Sequence, residues 1–131
     1  MVKAVFHEPI YRIPEVVSSF LEKNAPWLSK KLIEKIAEDA YEKISKEIDK
    51  KLERIPLHPN YYGVSDNEII IELKHNKLII IDNATVENYE YRSCDPVMFP
   101  ELCWEYDYVS ARYVVDLPPP ILFGFYQDES S

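Results

Sequence analysis

The sequence predicts an α+β fold, with N-terminal helices (one short, one long) packed on a mainly antiparallel sheet of four to five strands. Three observations carry this expectation. Apolar residues recur at three or four positions from Ile33 to Ile55, which is a helical period. Two isoleucine-rich runs, residues 68–74 and 77–82, flank His75-Asn76, the pattern of a hairpin around a turn residue. Further on, residues 85–92 and 104–115 alternate, which is the strand period.

Each element has its own local reason. Residues 2–6 suit a short strand that ends before Pro9. Pro14 fits a helix start, because its ring presets φ and its missing N–H would be unpaired there anyway. That helix is expected to reach about Lys23, with Asn24 as a left-handed terminator. Asn24 or Ala25 then starts the long helix, with Pro26 in its first turn, and Pro56 stops it near Arg54. About 28 residues give roughly 42 Å of helix, more than a small domain needs to cover its own sheet. The stripe Ile33, Ala37, Ile44, Ile48 and Leu52 is therefore a candidate homodimer surface, with an overhanging helix as the alternative; the isoleucine-rich hairpin is the other candidate for self-association. Asp39, Lys43, Glu47 and Lys51 form an alternating ladder on another face, each ordered pair worth a few tenths of a kcal/mol.

Residues 56–63 hold two prolines and a glycine and are expected to be a loop. Ile69 to Ile71 and Leu78 to Ile81 are apolar on both faces, so each side of these strands needs a cover. The helices supply one side, and a further layer, the tail or a partner supplies the other. Trp104, Tyr106 and Tyr108 face one way, and Val109, Ala111, Tyr113 and Val115 the other. Pro118 to Pro120 end regular structure. The 131 residues are one domain's worth, divided into a helical 1–55, a sheet over 64–117 and a proline-led tail, 118–131.

Composition excludes several functions. Gly occurs only twice, which removes phosphate-cradling loops of the Walker and dinucleotide kinds. No apolar run approaches the 20 or so residues that cross a bilayer, and the N-terminus lacks the apolar core of a secretory signal. No membrane partner is expected. His7, His58 and His75 are far apart in sequence, with no HExxH, no paired histidines and no nucleophile elbow, so no catalytic residue, metal ligand or cofactor is assigned. One short pattern, Glu72-Leu73-Lys74, resembles the E-x-K element of PD-(D/E)xK nucleases, whose carboxylates hold a divalent metal. That family also needs an upstream Asp on a neighbouring strand. Asp66 falls on the same strand and Asp49 in the helix, so a metal-dependent nuclease is the last of three readings.

Charge is the stronger signal. Lys and Arg number 15 against 23 Asp and Glu, a net of −8, and from Asp82 onward two basic residues face ten acidic ones. Such a field repels nucleic acid and suits a basic protein surface, although solubility alone is also served by it. Tyrosines share the region. Glu87, Tyr89, Glu90, Tyr91, Glu105, Tyr106, Asp107 and Tyr108 are the candidate partner-binding residues, because tyrosine buries a large area and keeps a polar tip. The leading reading is thus a non-catalytic acidic interaction module that docks on a basic partner without binding nucleic acid directly. A structural or assembly protein is its rival.

Abundant Ile, Lys, Glu and Tyr, scarce Gly, two cysteines and an acidic balance give the chain a composition that resembles small orphan proteins of viruses infecting hyperthermophilic crenarchaea. The resemblance implies a thermostable inhibitor of a host nucleic-acid-handling machine or a virion component, located in the host cytoplasm or the virion. Cys94 and Cys103 flank the connection between two alternating strands, where a bridge is geometrically possible; two reduced thiols are the alternative. A bridge closing roughly ten residues would add about 2–3 kcal/mol. Non-reducing mass analysis should find the oxidised protein lighter by two hydrogens, and two freely alkylated thiols in unreduced, unfolded protein would contradict the bridge.

Overall fold

A computed structural model describes residues 1–55, 62–89 and 104–120. Strand β1 (Val2–Phe6) comes first, then a single 3₁₀ turn (Ile10–Arg12), helix α1 (Ile13–Asn24) and helix α2 (Lys30–Glu53). Three long strands follow: β2 (Tyr62–Lys74), β3 (Lys77–Tyr89) and β4 (Trp104–Asp116). They form one antiparallel sheet of order β1-β2-β3-β4. The α+β class and four of the expected four to five strands are present. No helix among the described residues is long and apolar enough to cross a membrane.

The hairpin between β2 and β3 forms at the expected place. His75 and Asn76 both have positive φ, 50° and 61°, the left-handed pair that matches strand twist in a two-residue turn. Sequence alternation underestimated both strands. β2 takes in Tyr62 and Gly63, which were expected in the loop, and its register with β3 shifts by one residue at a bulge between Val64 and Asp66. β3 runs unbroken through Asn83 and Ala84 to Tyr89, so residues 85–89 continue it and do not begin a new strand. The reason is phase: Asn83 falls on the side that holds Ile79 and Ile81, and Ala84 on the buried side with Leu78 and Ile80.

Both helix boundaries in the middle differ from expectation. Asn24 stays helical, and its side-chain amide turns back to donate to the Phe20 carbonyl at 3.0 Å. The long helix starts later, at Lys30, because Ser29 takes extended backbone and its Oγ accepts the Leu32 N–H at 3.1 Å. A serine cap of this kind is worth about 1 kcal/mol. Between the helices Ala25 and Leu28 are buried, so this turn is pinned by packing. The helix is 24 residues, about 36 Å long.

One core lies between the helices and one face of the sheet. It joins Val17, Phe20 and Leu21 of α1, Ile33, Ile36, Ala37, Ala40, Ile44 and Ile48 of α2, and Ile69, Ile71, Leu78, Ile80, Val86 and Ala111 of the strands. The proposed dimer stripe is thereby corrected. Ile33, Ala37, Ile44 and Ile48 are buried within the protomer, and Leu52 packs half-buried at their end. Their helical spacing is the spacing of a core face, and almost nothing of the four buried side chains is left for a second copy.

The charged ladder also has work inside the chain. Glu47 accepts the Arg112 N–H at 3.2 Å, and Lys51 donates to the Ser110 carbonyl. Lys43 stands 6.0 Å over the Tyr113 ring. Each contact falls on β4, an edge strand whose outward backbone groups would otherwise invite pairing with another chain.

Ile44 is 0% exposed, so Ile44→Ala should cost about 2–5 kcal/mol through lost burial and the cavity left behind. Lys50→Ala on the solvent side should stay within about 0.5 kcal/mol. Urea unfolding with unchanged slope checks both.

Candidate functional site

The sheet has two unlike faces. Its inner face lies on the helices. The outer face carries, strand by strand, Lys3 and Val5 of β1; Asp66, Glu68, Ile70 and Glu72 of β2; Ile79, Ile81, Thr85 and Glu87 of β3; and Tyr106, Tyr108, Arg112 and Val114 of β4, as the register requires. No described element lies over this face. Val5 is 46% exposed and Val114 40%, while Ile70, Ile79 and Ile81 are half-buried among their neighbours.

The predicted acid-and-tyrosine set divides along this geometry. Tyr106 pairs across with Glu87, and Tyr108 with Thr85, which in turn faces Asp66. These side chains share the outer face at the end of the sheet away from the β2–β3 turn. Tyr106 is 54% exposed and Tyr108 78%, too open for core residues. Asp107 pairs with Val86 and belongs to the opposite face. Tyr89 pairs with Trp104 and Glu105 with Asn88. Glu90, Tyr91, Cys94 and Cys103 lie outside the described residues. Among the described residues neither Glu87 nor Asp107 has a basic ion-pair partner.

The nuclease-like triplet has a different environment from the one that chemistry needs. Glu72 lies on the outer face with Lys3 at 3.7 Å. Asp49 is on α2, across the sheet from it. Asp66 is on the same strand as Glu72, as expected, and stands 3.9 Å from His7. Among the described residues no group of three or more His, Cys, Asp and Glu side chains is placed to hold a metal ion.

Sequence reasoning counted Asp82 among the surface acids and overlooked its position. It is 0% exposed, directly between Ile69 of β2 and Ala111 of β4 on the inner face. Asn67 donates to Oδ1 at 2.7 Å and also to the Glu8 carbonyl at 2.9 Å. Oδ2 has no hydrogen-bond partner among the described residues. Burial pushes the Asp82 carboxyl above its ordinary value, and the Asn67 hydrogen bond opposes that rise. The available signal was phase, since Asp82 follows Leu78 and Ile80 at strand spacing.

No known family model matches the chain, and no curated protein or solved structure matches it either. The fold of the described residues therefore defines it only as an α+β protein whose antiparallel sheet carries the described helices on one face.

Asp82 gives a pH dependence of known sign. The unfolded chain releases this proton at a lower pH than the folded one, so stability falls as pH rises from the unfolded to the folded value. Asp82→Asn keeps an acceptor for Asn67 and removes the ionisation. Relative to this variant, the wild type should gain stability on acidification from about pH 7 to about pH 4. Parallel urea titrations in which the difference does not change with pH would refute the assignment.

Proposed function

We propose that the chain is a non-catalytic interaction module that docks the acidic, tyrosine-bearing end of its sheet on a basic protein surface. The supporting observation is the pair Tyr106 and Tyr108, both more than half exposed, on the same face as Glu87 and Asp66. Rings held on a strand have little conformational freedom left to lose on binding, and they combine apolar area with a hydroxyl. The unpaired carboxylate beside them attracts a cationic surface at a distance and costs less to bury once a counter-charge arrives. The uneven charge of the whole chain, acid-rich after Asp82, extends the same field.

The two residue types should fail differently. Photo-crosslinking from position 108 in native cell extract should capture a protein with a basic face. Against that protein, Glu87→Lys with Asp66→Lys should slow association and flatten its salt dependence. Tyr108→Ala should speed dissociation by roughly 5–150-fold, the equivalent of about 1–3 kcal/mol. Surface plasmon resonance at several salt concentrations reads both effects. Unchanged binding of the folded charge-reversed protein at low salt would leave the acidic field with solubility as its only role.

A further inference from the structure

The two edges of the sheet are treated differently. On β4 the outward backbone groups at Ser110 and Arg112 are taken by Lys51 and Glu47 of α2. Among the described residues β1 has a neighbour on one side only, β2. Natural proteins blunt such an edge with prolines, bulges or outward charges. The strand Val2-Lys3-Ala4-Val5-Phe6 has no proline and an unbroken register. Its single charge, Lys3, is held from the β2 side by Glu72 at 3.7 Å. We propose that β1 pairs antiparallel with β1 of a second copy of the chain. A two-fold axis normal to the sheet at Ala4 then gives one continuous sheet of eight strands.

The hairpin settles which backbone groups of β1 are free. Lys74 and Lys77 flank a two-residue turn, so they exchange both N–H···O bonds. Pairs alternate from there: Glu72 and Ile70 direct their groups at β3, while Leu73, Ile71 and Ile69 direct theirs at β1. The partners of these three, Val2, Ala4 and Phe6, are therefore bonded to β2. The N–H and C=O of Lys3 and Val5 point outward. The same count carried to β4 turns Ser110 and Arg112 outward, as their contacts with α2 require.

A second β1 must meet outward groups with outward groups. Three antiparallel registers that join at least three strand residues do so. Centred on Lys3 or on Val5, the pairing joins only three residues of each strand, and the first sets Lys3 directly against Lys3, a like-charge pair. Centred on Ala4, it joins all five. Lys3 then pairs with Val5 twice, through backbone hydrogen bonds, and Val2 with Phe6 twice, as a two-fold requires. The small Ala4 side chains meet on the axis, where the strands come closest. Faces agree as well: Val2, Ala4 and Phe6 lie on the helix side in both copies, so the exposed Val2 packs beside Phe6 of the second copy. The two lysines stand on a diagonal, about 7–8 Å apart, and each keeps Glu72 as its counter-charge. Such an interface is small, and the dimer is a weak one. It uses none of the residues invoked for docking and stands independently of that reading.

The test is the mass of the full-length protein by light scattering up to about 200 μM, where the wild type should reach twice one chain. Val5→Pro removes an outward N–H and no bond to β2. It should stay monomeric with an unchanged circular dichroism spectrum. Val5→Thr keeps the N–H and should dimerise within about threefold of the wild type, which separates the strand edge from a contact through the side chain. Ala4→Cys puts two thiols on the axis, and oxidation should join two chains through position 4, read by peptide mass mapping. That link decides the matter however Val5→Pro folds. A wild type that is monomeric throughout overturns the proposal. So does a dimer that Val5→Pro leaves intact, one that Val5→Thr abolishes, or an oxidised Ala4→Cys protein with no link between the two copies of position 4.

Discussion

Everything in this fold follows from the burial of one sheet face by α2. Strands of 13 residues extend about 43 Å, close to the length of a 24-residue helix. One long helix and one short one can therefore cover a four-stranded sheet on one side only. The buried side takes Ile69, Ile71, Leu78 and Ile80 to complete enclosure. The same strands carry isoleucines in the opposite phase, half-buried by their neighbours on the sheet with no described element over them. The second face is a consequence of the first, since no strand so apolar on both sides can be satisfied by one helical layer.

The helix also solves a second problem through its polar residues. An antiparallel sheet ends in strands with unpaired backbone groups, and long flat edges promote association. Glu47 and Lys51, one turn apart on α2, meet the Arg112 N–H and the Ser110 carbonyl of β4. Their own ion pair is 3.6 Å, so the two side chains support each other while occupying the strand edge. An i,i+4 pair in solvent is worth a few tenths of a kcal/mol; here it also satisfies backbone groups. This edge is thereby less open to another strand.

How much of this was legible depends on the range of the interaction that decides it. The hairpin was legible because its turn and its two isoleucine runs are local, and so was the alternation of Tyr106 and Tyr108 against Val109 and Ala111. The existence of α2 was legible from its apolar period. Its start was not, because Ser29 and Asn24 both have capping chemistry, and the choice between them is made by the burial of Ala25 and Leu28. The stripe from Ile33 to Ile48 was visible, yet a period does not say whether the covering surface belongs to the same chain. The ladder of Asp39, Lys43, Glu47 and Lys51 looked solvated for the same reason: its partners, Ser110, Arg112 and Tyr113, lie some sixty to seventy positions away. Of the partner-binding set, alternation alone already separates Tyr106 and Tyr108 from Asp107, and only the register adds Glu87 and Asp66 to the tyrosines.

Asp82 shows why counting charges is weaker than placing them. It begins the acid-rich segment by sequence, but it sits in the core with one oxygen unpartnered among the described residues and its carboxyl pushed towards the neutral form. An acid here costs stability compared with an apolar residue of similar size. Its partner Asn67 also holds the Glu8 carbonyl, just beyond the end of β1, so Asp82, Asn67 and Glu8 tie β3 through β2 to the segment that enters α1. A slip of β3 by one residue would carry Asp82 to the outer face and Ile79 and Ile81 to the inner one, which is the alternative a strand apolar in both phases invites. The slip would break the Asn67 contact but return the Asp82 carboxyl to water, so the Asp82–Asn67–Glu8 connection marks the native register and does not by itself set which isoleucines face the helices.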